Sequence, residues 1–231
     1  MQIHLITGSS RGIGFELSKQ YLERGDIVYA TCRNPEAAMN LANLQTEFGD
    51  QLRIAELDVD QTKQAEALAN LLKENHTKLD TLIFNAGVLL PEGFGNWSED
   101  AFLATLKTNL IGPALLAQTF APLLKEGSKI VFVSSRIGSF ASRINLSGDQ
   151  DSYAISKSAL NMLAARLAAK PEMEDKLVVA ISPGWVRTDM GGPQATLDVA
   201  ESAEGIIKTI ESLNSSQSGS FLSIEGEAIP W

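Results

Sequence analysis

Residues 3–17 read Ile3-His4-Leu5-Ile6-Thr7-Gly8-Ser9-Ser10-Arg11-Gly12-Ile13-Gly14-Phe15-Glu16-Leu17. The apolar run Ile3–Thr7 has the character of a buried strand, and Ile13, Leu17 and Tyr21 recur at the spacing of one helix face. Between them lie three glycines, where a backbone without side chains lets another group approach closely. The first amides of the following helix have no intrahelical partner, and together with the helix dipole they favour an anion. Gly8–Gly14, with Ser10, Arg11, Gly12 and Ile13 inside it, is therefore a candidate phosphate turn. A tight strand-to-helix turn with no ligand is the plain alternative. The Lys-Ser/Thr pair of a nucleotide-hydrolysing loop is absent, which disfavours triphosphate hydrolysis.

Outward from this unit the pattern repeats. Short apolar runs at Ile27–Thr31, Leu52–Leu57, Thr81–Phe84, Lys129–Val133, Val178–Ser182 and Ser220–Ser223 alternate with stretches of helical period such as Leu68, Leu71 and Leu72. Continuous apolar runs are expected of parallel strands covered on both faces, so the expectation is an α/β Rossmann fold with a doubly wound, seven-stranded parallel sheet and helices on both faces. No Pro/Gly/Ser linker divides the 231 residues, and the pattern predicts a single domain over 1–231. One long helical stretch, Glu99–Lys125, is interrupted by Gly112 and Pro113, which predicts a distortion near Asn109. Arg136–Asp151 and Gly191–Leu197 are expected to be irregular, at the sheet edge where α/β proteins bind ligands.

A net charge of −9 without a Lys/Arg run argues against a nucleic-acid partner. The single cysteine, Cys32, permits no intrachain disulfide, no stretch reaches the about 18 apolar residues of a membrane span, and the start of the chain resembles no signal segment. A cytoplasmic location and no membrane association are expected. His4 and His76 have no ligand partners at metal spacing, so no metal site is expected.

The second strand ends Thr31-Cys32-Arg33, with no acidic residue to accept from a ribose 2′-hydroxyl and with an arginine suited to a 2′-phosphate. Arg11 can add a second positive charge. Both features favour NADP(H) over NAD(H), although solvated surface arginines would look the same. Tyr153 and Lys157 stand four apart at the start of a predicted helix, which puts phenol and ammonium on one face. An ammonium there should lower the phenol pKa from near 10 and make it a proton donor and acceptor. The spacing alone is weak evidence; its company raises its value. The fifth strand ends Ser134-Ser135, hydroxyls able to bond a substrate oxygen as charge develops, and Asn109 is an awkward helix-interior residue expected to bond backbone or buried water.

The Gly-x3-Gly-x-Gly spacing, Asn109, Ser135, Tyr153 and Lys157 together resemble the classical short-chain dehydrogenases/reductases, with matching motifs from residue 7 to 188. The resemblance implies that Asn109, Ser135, Tyr153 and Lys157 are the four catalytic positions, Asn109 serving a proton relay with Lys157 and water. It also implies that Asp58 and Val59 face adenine and its ribose, that Asn85-Ala86-Gly87 does so too while stabilising the sheet, and that Pro183, Gly184, Val186 and Thr188 hold the nicotinamide carboxamide. Helices at Glu99–Lys125 and Tyr153–Ala169 are implied to build a homodimer or homotetramer. Eighteen positions separate Ser135 from Tyr153, more than in most of the family, and Ser134 stays open as a substitute for Ser135. That longer loop, the run from Trp185 to Pro193 and the ending Ile229-Pro230-Trp231 are similar to the C-factor and Sniffer-like carbonyl reductases. The implied activity is NADPH-dependent reduction of an aldehyde or ketone. Alcohol oxidation uses the same residues, and a non-catalytic NADP-binding redox sensor is the alternative of a different class.

Overall fold

In the computed structural model, which describes residues 1–231, strands and helices alternate along the whole chain. They are β1 (Ile3–Thr7), α1 (Gly12–Glu23), β2 (Ile27–Cys32), α2 (Met39–Phe48), β3 (Leu52–Glu56), α3 (Thr62–Glu74), β4 (Leu79–Phe84), α4 (Glu99–Leu106), α5 (Gly112–Phe120), β5 (Leu124–Val133), α6 (Asp151–Ala168), β6 (Leu177–Ile181), α7 (Val199–Ser212) and β7 (Phe221–Leu222). All strands pair in parallel in one seven-stranded sheet of order β3-β2-β1-β4-β5-β6-β7. The expected doubly wound Rossmann architecture is thus the observed one.

Alternation along each strand feeds two separate cores. Leu5, Leu82 and Ile130 face the layer built by α3, α5 and α6, while their neighbours Ile6, Ile83 and Val131 face the layer of α1, α2 and α7. Both faces of the central strands are dry, which is why these strands read as unbroken apolar runs. Phe84 and Phe132 stack at 4.9 Å between ring centroids, adding about 1 kcal/mol beyond burial where β4 and β5 end.

Most strands differ from expectation by one or two residues at an end, and two boundaries differ for a tertiary reason. β5 begins at Leu124 rather than Lys129, because Leu124 pairs with Leu79 ahead of a register shift and the exposed Glu126 and Gly127 hide the strand pattern. α6 begins at Asp151, two residues before Tyr153; the chain leaves the Glu92↔Gln150 bridge straight into the helix, with Asp151 well placed against its dipole. The distortion near Asn109 is present as a π-helical turn, Lys107–Ile111, between α4 and α5. Gly112 sits there because a Cβ would lie 2.6 Å from the Val59 carbonyl oxygen, and Pro113 follows it in the first turn of α5, removing one amide from the helix at the distortion.

Candidate active site

The strand order runs outward in opposite directions from β1 and β4, so the crevice opens beyond their carboxyl ends. Its walls include Gly8, Ser10, Arg11, Gly12 and Ile13 from the glycine turn, Arg33 after β2, Asp58 and Val59 after β3, and Asn85, Ala86 and Gly87 after β4. Tyr153 and Lys157 of α6, and Pro183 and Thr188 after β6, complete it. Gly8 has a left-handed backbone, φ 71°, and a Cβ on it would meet the Ala86 Cα at 2.8 Å. Glycine is thus required twice over, by conformation and by contact. Asn85 ties the floor together: its Nδ2 donates to the carbonyls of Thr7 and Gly8, each at 3.0 Å, and its amide donates to the Thr7 hydroxyl.

Two guanidinium groups face this crevice. Arg33 forms no ion pair and leaves its donors open to an anion. Arg11 is paired with the Asp189 carboxylate, a partner the sequence did not suggest.

Lys157 is buried, and its Nζ donates to the Val133 carbonyl at 2.8 Å while lying 5.6 Å from the centre of the Tyr153 ring. Burial lowers the Lys157 pKa to about 8, because the charged form gives up water. The Tyr153 phenol moves opposite to expectation: burial pushes it up to about 12, and hydrogen bonding with Ser135 pulls it only partly back. Desolvation of a phenolate decides the balance here, so the phenol holds its proton at neutral pH.

The structure separates the two serines. The Ser134 hydroxyl is buried and donates to Asn161 Oδ1 at 2.6 Å, although Ser134 itself borders the crevice, whereas Ser135 is half-buried, caps the turn after β5 and stands outside the crevice wall. Asn109 lies behind the crevice, fully buried. Its Oδ1 accepts from the Val88 amide and its Nδ2 donates to the Val88 carbonyl, both at 2.8 Å, with a further bond to Ser156. The expected bond to backbone is therefore made, and the side chain's capacity is spent on positioning the chain after β4. Gly14, Gly184 and Val186 do not reach the crevice wall: Gly14 packs beneath Asn85, Gly184 against Leu197, and Val186 is buried in a bridge to Leu197.

The short-chain dehydrogenase family model matches residues 2–197. The chain belongs to the short-chain dehydrogenase family. As an oxidoreductase of this family it is similar over its whole length to an NADPH-bound carbonyl reductase from chicken fatty liver, at 32% identity and a TM-score of 0.94, covering 100% of this chain and 99% of that one. It is similar in the same way to the carbonyl reductase Sniffer of D. melanogaster, at 31% identity and a TM-score of 0.93, covering 100% of both chains. The C-signal protein of Myxococcus xanthus is 36% identical over 66% of this chain and 93% of its own length. The expected kinship with C-factor and Sniffer-like proteins is found.

In this short-chain dehydrogenase the crevice also takes in Cys32, Asp60, Val88, Thr108, Val133 and Met190, none of which sequence reasoning singled out. Most stand one or two places from a residue that was singled out, which is the signal that would have found them. Thr108 and Asp60 are bonded to each other at 2.9 Å, a pairing across 48 positions that no local pattern announces. No group of three or more His, Cys, Asp or Glu side chains is arranged to hold a metal, and no helix is long and apolar enough to cross a membrane.

Proposed function

We propose that this protein is an NADPH-dependent carbonyl reductase that converts an aldehyde or ketone to an alcohol, with Tyr153 as the proton donor. The observation that carries the proposal is a protonated, buried phenol beside the Lys157 ammonium, in the same crevice as the glycine turn and the unpaired Arg33. The residues fit the dinucleotide. Bare backbone at Gly8 and Gly12 admits phosphates, Arg33 with its free donors suits a 2′-phosphate, Arg11 adds positive charge beside it while paired with Asp189, and Asp58, Val59, Asn85, Ala86 and Gly87 supply a polar wall further along. Gly14, Gly184 and Val186 act from behind this wall, by shaping the turn and the loop after β6. When bound, NADPH supplies the hydride for the carbonyl carbon.

This chain's residues supply the proton and hold the oxygen. The Ser135 hydroxyl donates to the substrate oxygen as negative charge grows there, and Tyr153 Oη delivers the proton. Lys157, still charged at pH 7, favours the phenolate that remains, and its bond to Val133 fixes its position. Asn109 contributes by holding Val88, and any relay of protons through it uses its backbone rather than its occupied side chain. A phenol with a pKa of about 12 is loaded as an acid at neutral pH, which suits the proton-donating step of carbonyl reduction.

The similarity to C-signal gives a second reading, an NADP-binding redox sensor without turnover. One experiment separates them: NADPH consumption is followed with a panel of reactive carbonyls, in parallel with NADPH binding. Turnover that Tyr153→Phe abolishes without loss of binding supports the reductase; binding without turnover across the panel supports the sensor. A homodimer or homotetramer is proposed through the exposed Leu103, Ile111 and Leu115 of the α4–α5 segment and Ile155 and Met162 of α6. A cytoplasmic location is proposed from the lone cysteine.

A further inference from the structure

The loop between β6 and α7 has a fixed base and a separate tip. At the base Val186 and Leu197 form a parallel bridge, Arg187 Nε donates to Asp198 Oδ1 at 2.9 Å, and Arg187 Nη1 donates to the Ala195 carbonyl at 2.8 Å. The tip, Thr188–Gly192, is bonded to itself and to the base. The Gly191 amide donates to Thr188 Oγ1 at 3.1 Å, the Gly192 amide to the Thr188 carbonyl at 2.9 Å, and Trp185 Nε1 to the Gly191 carbonyl at 2.9 Å. Thr188 and Met190 of this tip face the crevice along with the glycine turn. One polar contact crosses from tip to turn: Arg11 Nη1 donates to the Asp189 carboxylate. An apolar approach lies beside it, with the Thr188 methyl 3.6 Å from where a Cβ on Gly12 would stand.

We propose that Arg11 and Asp189 form an electrostatic latch that holds the tip of this loop over the phosphate turn, and that opening this latch sets the rate at which bound dinucleotide leaves. The inference rests on the NADPH reading above. Its strength suits a strap that must open in every turnover. The two side chains are 69% and 77% exposed, so the pair changes an equilibrium by about two- to fivefold and weakens with salt, whereas a buried pair would lock the crevice. Gly192, at φ 74° and with nothing within 4 Å of where a Cβ would stand, is the point at which the tip can move while the Arg187–Asp198 base stays in place. Asp189 is in this view a positioning residue, acting through Arg11.

The test is Asp189→Asn, with Asp189→Glu as the conservative control. Release of NADPH, measured by stopped-flow displacement with excess NADP+, should quicken about two- to fivefold in Asp189→Asn. The acceleration of release by salt should be smaller in that variant than in the native protein, because the contacts of Arg33 with the dinucleotide remain, and Asp189→Glu should restore native behaviour. In nucleotide-free protein, amide hydrogen exchange should rise at 188–192 and stay unchanged at 195–198. Unchanged release and exchange in Asp189→Asn overturn the latch, and so does slower release, which would make Asp189 a competitor for Arg11. If the native protein binds no NADPH, the cofactor reading falls, and the exchange measurement alone decides whether the latch exists.

Discussion

Replacing Lys157 with methionine removes a charge from a site that does not welcome it, while roughly keeping the volume. Moving the ammonium from a pKa of 10.5 to about 8 means that burying its charged form costs the fold about 3 kcal/mol at pH 7, at 1.4 kcal/mol per tenfold change. Losing the bond to the Val133 carbonyl gives back about 1 kcal/mol, so Lys157→Met should be more stable than the native protein by about 2 kcal/mol at pH 7. Below pH 8 both folded and unfolded chains carry the proton and the cost is full. Between pH 8 and 10.5 the folded chain has released a proton that the unfolded chain still holds, so native stability rises with pH. At pH 9.5 the cost has fallen to about 1 kcal/mol and the gap should close. Urea unfolding of both proteins at pH 7 and pH 9.5 measures this directly, and the variant should have no reductase activity. A variant less stable than native at pH 7, or a gap that does not change with pH, would refute the reasoning. The expected outcome would mean that Lys157 is held for chemistry at the expense of the fold.

Other outcomes follow from the same geometry. Arg33→Asp should weaken NADPH binding at least tenfold more than NADH binding in fluorescence titrations, because its free guanidinium has no other partner to satisfy; equal losses would remove it from the 2′-phosphate site. The rate of carbonyl reduction, kcat/KM, should fall above about pH 8 as Lys157 loses its charge, while Tyr153 stays protonated; a flat profile to pH 9.5 would show that the ammonium is not needed. Gly8→Ala should destabilise the protein by about 1–3 kcal/mol, through a positive φ and a contact with the Ala86 backbone, and should weaken nucleotide binding more than it weakens folding; a thermal shift within error of native would contradict the close approach.

Much of this protein was legible before any coordinates. The run from Ile3 to Leu17 announces strand, turn and helix because strand burial, glycine conformation and helix period are local properties of consecutive residues. The distortion near Asn109 was legible for the same reason, since Gly112 and Pro113 interrupt the helix wherever it packs. Boundaries that depend on a distant partner were not, as with Leu124, which joins β5 by pairing with Leu79.

The division is sharpest at the site. Sequence by itself determined which chemical groups share the carboxyl edge of the sheet: the glycine turn, Arg33, Ser134 and Ser135, Tyr153 and Lys157. Only the tertiary structure decided that Ser134 turns toward Asn161, that Asn109 spends its amide on Val88, that Arg11 meets Asp189, and that burial raises the Tyr153 pKa. Spacing along a chain places side chains on a face. Desolvation and partner choice are sums over everything that packs around them, contributed by segments up to 178 positions away, and they exist only once the chain has folded.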